Sequence, residues 1–226
     1  MYHKISAVNL NSKTKGHYVS PRLFSNHLKL LKVLGYQTCR LEDVQSEQTR
    51  PKRAIVITFD DGYRDFYENA LPSLEANGFQ STVFLVANQI GGTNAWDVEI
   101  GDVSENLMSR SEILDAKKRG TQFGSHTLDH VDLADVSLEE AERQISVSKL
   151  KLAEVVGSEI QTFCYPYGRK TPEVMNLVQR SGYRVACSTE KGINDSSSNP
   201  YALRRINVRR DTYTSVLLMK LLRTHK

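Results

Sequence analysis

Two carboxylates stand side by side at Asp60 and Asp61, at the end of the apolar run "AIVITF". Neighbouring residues of an extended chain point in different directions, so the two acids need not share one proton. One can hold a cation while the other handles a proton. The plainer role for an acid here is to cap the following helix, "GYRDFYENALPSLEANG", but that accounts for one carboxylate, not both. A second cluster, "GSHTLDH", places His126 and His130 four residues apart after another β-type run. That spacing predicts one helical turn, from which two imidazoles reach one ion. Imidazole with a carboxylate is a common ligand set of catalytic zinc. Each cluster alone is a weak signal, and the two together point to a metal. The third cluster, "FCYPYG", ends a further strand in a turn forced by Pro166 and Gly168. Its Tyr165 and Tyr167 are either flat surfaces for a sugar ring or tyrosines of the core and rim.

The elements that must position these groups alternate. β-type runs at 1–6, 36–39, 54–59, 81–86, 121–126, 162–166, 183–188 and 203–208 alternate with helical patterns at 21–34, 63–77, 110–119, 137–156, 172–181 and 213–223. This is α/β order with about seven β-units. Helix starts are marked by Ser20 before Pro21, by Ser137 with Glu140 as a capping box, and by Thr171 before Pro172. Gly35, Gly78, Gly120, Gly157 and Gly182 each follow a helical pattern, where a left-handed residue returns the chain to the next strand. A parallel set of this size is an open doubly wound sheet or a barrel. With neither GxGxxG nor GxxxxGK[ST] in the chain, a barrel is preferred, complete or not. The C-terminal ends of barrel strands form the rim on which active sites are built, and Asp60 and Asp61 fall there.

Composition bounds the rest. The chain has 226 residues, 39% hydrophobic and 25% charged, which suits one globular domain over 1–226. Its net charge of +4 is scattered among acids, so nucleic acid is not an expected partner. Cys39, Cys164 and Cys187 have no ligand-like spacing and read as small buried hydrophobes. No run approaches the roughly 20 apolar residues of a spanning helix. "MYHKISAVNL" lacks the apolar core of a secretory signal. A soluble, cytoplasmic protein is expected unless the N-terminus has been processed or truncated.

"TFDDGY", "SHTLDH" and "FCYPYG", in this order with helices between them, resemble the first three motifs of the polysaccharide deacetylases with NodB homology, carbohydrate esterase family 4. The likeness extends to "MYHKI", "LGYQTCRLEDV", "ALPSLEANGFQSTVFLV" and "LRRINV". The "YPYG" form of the third motif is similar to the branch linked to exopolysaccharide modification. The resemblance implies a distorted, incomplete TIM-like (β/α)7 barrel. It also implies a hydrolase that removes N-acetyl groups from N-acetylhexosamine units of a glycan and releases acetate. Asp61, His126 and His130 resemble the family's metal ligands, for Zn2+ first and for Co2+, Ni2+ or Mn2+ as alternatives. Asp60 resembles its general base, and the Tyr167 backbone N–H its oxyanion donor.

Departures from the family pattern matter as well. The arginine that many members carry early in the third motif is absent from Phe163, Cys164 and Tyr165. By likeness to the family's "LpRIxV" pattern, Arg205 of "LRRINV" is the expected substitute, pairing with Asp60 rather than with an acid such as Glu190. The late histidine that donates a proton to the leaving amine is also missing. Only His225, in a frayable terminal position, follows, so the general acid is unassigned. His3, at the end of the first strand, is expected on the metal's rim as a substrate contact or proton donor, with a polar strand-end residue as the plainer reading. Trp96, in the 89–107 loop, either lines a glycan groove together with Tyr165, Pro166 and Tyr167 or is a packing anchor. The competing functions are a carbohydrate-binding barrel with little or no turnover and an O-acetyl esterase.

Overall fold

The computed structural model describes residues 1–44, 46 and 48–223; His225 lies outside the described residues. In chain order the elements are α1 (Pro21–Val33), β1 (Gln37–Thr38), β2 (Ala54–Ile55), β3 (Thr58–Phe59), α2 (Leu71–Asn77), β4 (Thr82–Leu85), α3 (Ala95–Glu99), α4 (Arg110–Lys118), β5 (Gln122–Ser125), α5 (Leu138–Val156), β6 (Thr162–Cys164), α6 (Pro172–Arg180), β7 (Val185–Lys191), β8 (Leu203–Arg205) and α7 (Thr214–Arg223). Strands β3 to β8 pair in sequence order, all parallel, as a six-stranded sheet. The sheet curls into the expected distorted, incomplete TIM-like barrel.

Two expectations for the strands are corrected. The run 54–59 is not one strand: Ala54–Ile55 pairs with β1 in a separate two-stranded sheet, and only Thr58–Phe59 joins the barrel. The first run forms no strand either, but single bridges from Tyr2 to Phe59 and from Lys4 to Tyr18. Those bridges still lay the N-terminal segment against the first barrel strand.

Local chemistry accounts for the helix boundaries. Ser20, Ser137 and Thr171 each accept the backbone N–H three residues on. The box expected at Ser137 is only half formed, because Glu140 turns outward to Arg143 and Gln144. A complete box stands at Ser109 and Glu112 instead. Ser109→Ala removes the cap of α4 and should lower stability by about 1 kcal/mol, read from urea denaturation. Residues 66–70 form a wide π-helical turn running into α2, where Pro72 has no N–H to continue a regular ladder. All five glycines expected to end helices have positive φ.

Strand alternation divides the core into two parts. Phe59, Val83, Phe123, Phe163 and Tyr165 face the helices in the larger cluster, while Phe84, Cys164, Cys187 and Leu203 fill the barrel interior. A Cβ at Gly124 would lie 2.4 Å from Thr162 Oγ1 and 2.6 Å from the Phe84 ring, so the bare backbone there makes room for Phe84. No helix among the described residues is long and apolar enough to cross a membrane.

Candidate active site

The three motifs meet at the C-terminal rim. Asp60 and Asp61 leave β3, His126 leaves β5, and Tyr165 to Gly168 leave β6. Asp61, Thr127, His130 and Tyr167 are the non-glycine residues with positive φ among those described, at 74°, 69°, 62° and 59°. All four belong to these motifs. Each such conformation costs on the order of 1–3 kcal/mol, so the strain is concentrated at this one rim.

His126 and His130 do not lie on a helical turn, which corrects the reading of their spacing. They flank a tight loop in which Thr127 Oγ1 accepts the His130 N–H at 2.9 Å. Gln144 Oε1, from α5, accepts the N–H groups of Leu128 and Asp129, each at 3.0 Å. The two left-handed residues bring the rings together at 4.9 Å between centroids.

Asp61 Oδ1 lies 3.4 Å from His126 Nε2 and 3.3 Å from His130 Nε2, with all three side chains buried. Ligand atoms about 2.0–2.1 Å from a tetrahedral centre are about 3.3 Å apart, so the set has the spacing of a divalent metal site. His126 Nδ1–H donates to the Cys164 carbonyl at 2.7 Å, which fixes the tautomer that leaves Nε2 free to ligate. Burial opposes the ionisation of Asp61, but its contacts with the two imidazoles hold its carboxyl well below the usual range. The residues present therefore fit a divalent ion.

Asp60, also buried, points into the barrel and meets Arg205 in a two-bond fork, at 2.7 Å from Nη1 to Oδ1 and 2.8 Å from Nη2 to Oδ2. Glu190, the alternative partner, pairs with Lys170. Burial would raise the Asp60 pKa, but the charge and hydrogen bonds of Arg205 prevail and lower it to about 2. Truncating one member of a buried pair strands the other's charge. Arg205→Ala should therefore cost about 3–5 kcal/mol in denaturant unfolding.

The remaining expected residues divide between mouth and core. Because Tyr2 bridges Phe59, alternation puts His3 on the Asp60 side. His3 is partly exposed and stacks on His17 at 4.0 Å. Burial first, then His17, push its pKa down to about 3, so the ring is neutral. Trp96, on α3, stacks on His130 at 4.4 Å. It is anchored through Asp97, which accepts from Tyr63 and Asn94. The half-exposed Tyr167 ring meets His130 edge-on at 4.9 Å, and Pro166 is buried beneath it. A Cβ at Gly168 would lie 1.9 Å from Thr189 Oγ1, the atom that donates to the Tyr167 carbonyl, so only glycine fits there.

Tyr165 is a correction. It points outward with Phe163 into the helix-covered core, fully buried, and donates to the Tyr201 carbonyl at 3.0 Å. It offers no surface to a sugar. Cys164, read as a small hydrophobe, faces the interior, with Sγ 3.1 Å from Arg205 Nη2 and 3.6 Å from Asp60 Oδ2. His17 was not singled out in the sequence; the rule that alternate residues share a face finds it once the bridge between Lys4 and Tyr18 is known.

Known proteins are similar to this chain in sequence and in fold. A Bacillus subtilis protein described as a polysaccharide deacetylase, YxkH, is 27% identical over 212 residues, covering 92% of this chain and 70% of its own length. A poly-β-1,6-N-acetyl-D-glucosamine N-deacetylase of Staphylococcus aureus is 23% identical over 238 residues, covering 96% and 80%. The fold matches the Streptococcus pyogenes deacetylase PplD, solved with acetate, at a TM-score of 0.84 and 23% identity, over 97% of this chain and 95% of that one. A family model for polysaccharide deacetylases matches residues 47–186, which take in all three motifs, and the chain belongs to that family of hydrolases.

Proposed function

We propose that this chain is a metal-dependent hydrolase that removes N-acetyl groups from N-acetylhexosamine units of a poly- or oligosaccharide. The reading rests on one juxtaposition: a buried three-donor centre, Asp61, His126 and His130, beside a separately held, ionised carboxylate, Asp60. A set of two imidazoles and one carboxylate suits Zn2+, and Co2+, Ni2+ or Mn2+ accept the same donors. When bound, the ion supplies Lewis-acid polarisation of the acetyl carbonyl and lowers the pKa of a water.

The protein groups do the rest. Asp60 takes the proton of the attacking water, and Arg205 keeps it ionised and aimed. The Tyr167 N–H donates to the oxyanion that develops as the C–O bond forms. As the C–N bond breaks, the leaving nitrogen takes up the proton that Asp60 removed from the water, and His3, a neutral ring on the same rim, is assigned as a substrate contact. Trp96 and Tyr167 form the wall against which the sugar packs, and Pro166, buried beneath Tyr167, backs it.

An ionised base held by a complete ion pair favours turnover over a binding barrel. The substrate named for the S. aureus relative makes β-1,6-linked N-acetylglucosamine oligomers the first to test. Acetate release from these, measured beside release from an acetylated xylan, decides the function. Release from xylan alone marks an O-acetyl esterase, and release from neither marks a binding protein.

A further inference from the structure

Arg205 carries five N–H donors, and every one has an acceptor. Nε donates to the Ser188 carbonyl at 2.9 Å, and Nη1 to Thr58 Oγ1 at 3.3 Å and to Asp60 Oδ1 at 2.7 Å. Nη2 donates to Asp60 Oδ2 at 2.8 Å and to Cys164 Sγ at 3.1 Å. Two bonds serve the carboxylate, and three, from Ser188, Thr58 and Cys164, hold the guanidinium from behind. Thr58 and Cys164 are both buried. Strand alternation puts Thr58 on the same face as Asp60, two residues on.

The Cys164 thiol has one proton and two acceptors in reach, Asp60 Oδ2 at 3.6 Å and the Tyr165 carbonyl at 3.9 Å, and the nearer, charged one takes it. A carboxylate has four lone-pair sites. Among the described residues, Arg205 takes one on each oxygen and Cys164 takes a second on Oδ2, so one site remains, on Oδ1.

We propose that Thr58 and Cys164 are positioning residues for deacetylation, acting through Arg205 to lock the Asp60 carboxylate so that Oδ1 is the oxygen that receives the proton. This rests on Asp60 being the base of the activity proposed above. A fork of two bonds fixes the guanidinium only relative to the carboxylate, whereas the three further acceptors fix both relative to the barrel. A base held this way needs no reorganisation when the proton arrives.

The test compares Thr58→Val and Cys164→Ala, which delete acceptors, with Thr58→Ser and Cys164→Ser, which keep them. Leaving a buried guanidinium N–H without a partner should lower kcat roughly tenfold in the first pair, with KM and metal content unchanged. The serine variants should stay within about twofold of the parent. In an Arg205→Lys background Thr58→Val should add no further loss, because residues acting through one group are not additive.

A second readout needs no activity. In the metal-free protein, NMR should resolve separate Nη protons for a locked Arg205, merging in Thr58→Val. An unchanged kcat in both deletion variants, a loss that follows metal content, or no recovery with serine would overturn the proposal. If the parent enzyme releases no acetate, the assigned activity fails, and merged Nη protons in the parent would then refute the locked arginine independently.

Discussion

Asp60→Asn is expected to retain the fold and one bound metal per chain while losing a factor of about 10² to 10⁴ in turnover. The amide has nearly the shape of the carboxylate but cannot take a proton. Arg205 holds the native group at a pKa of about 2, so Asp60 is ionised throughout the working pH range and its loss is felt across the whole rate profile. The same pKa gives the sign of a stability effect. Being depressed, it contributes stability that is fully present above the ordinary carboxylate value and is lost as the pH falls towards about 2. Turnover by the Asn variant at the native rate would show that Asp60 serves only as the structural partner of Arg205. Circular dichroism and elemental analysis of the variant separate loss of chemistry from loss of structure.

Chelation should abolish activity, and one equivalent of zinc should restore it. Asp61→Ala, His126→Ala and His130→Ala should each bind metal far more weakly, by more than the 10- to 100-fold that removing an outer partner costs. Elemental analysis of each reconstituted variant measures the effect. A crystal structure of the loaded protein should show the ion about 2.0–2.2 Å from the three ligand atoms. A parent protein that takes up no metal after reconstitution, or that works when verified metal-free, would remove this mechanism.

Much of this architecture is legible in the sequence because its signals are local. A serine or threonine before a helix, a glycine after it and an apolar run between them depend on neighbours in the chain. The helices accordingly fall within a residue or two of their expected limits, apart from the π-helical turn before α2 and from α3, a short helix inside the 89–107 stretch expected as a loop. The three motifs could be placed on strand ends for the same reason. The turn joining His126 to His130 was misread because its shape depends on Gln144, a residue of the next helix that pins the loop from outside. Tyr165 was misassigned because composition says nothing of which face of a strand a ring takes. Cys164 next to it, read only as filler, carries the polar contacts. The pairing of Arg205 with Asp60 was reachable only through likeness to a family pattern. Nothing near either residue announces a partner 145 positions away.

That separation has a kinetic consequence. The metal donors and the groups that shape them, Gln144 and the Cys164 carbonyl, are complete once residue 164 has been made, whereas the arginine that fixes the base comes from the last barrel strand, β8. Contacts between distant parts of a chain carry the larger loop-closure cost and form late, and during synthesis the N-terminal part emerges first. A nascent or partly unfolded chain can thus capture its ion before it can use it. In refolding experiments, metal uptake should precede the return of activity, with closure of the first and last barrel strands as the step between them.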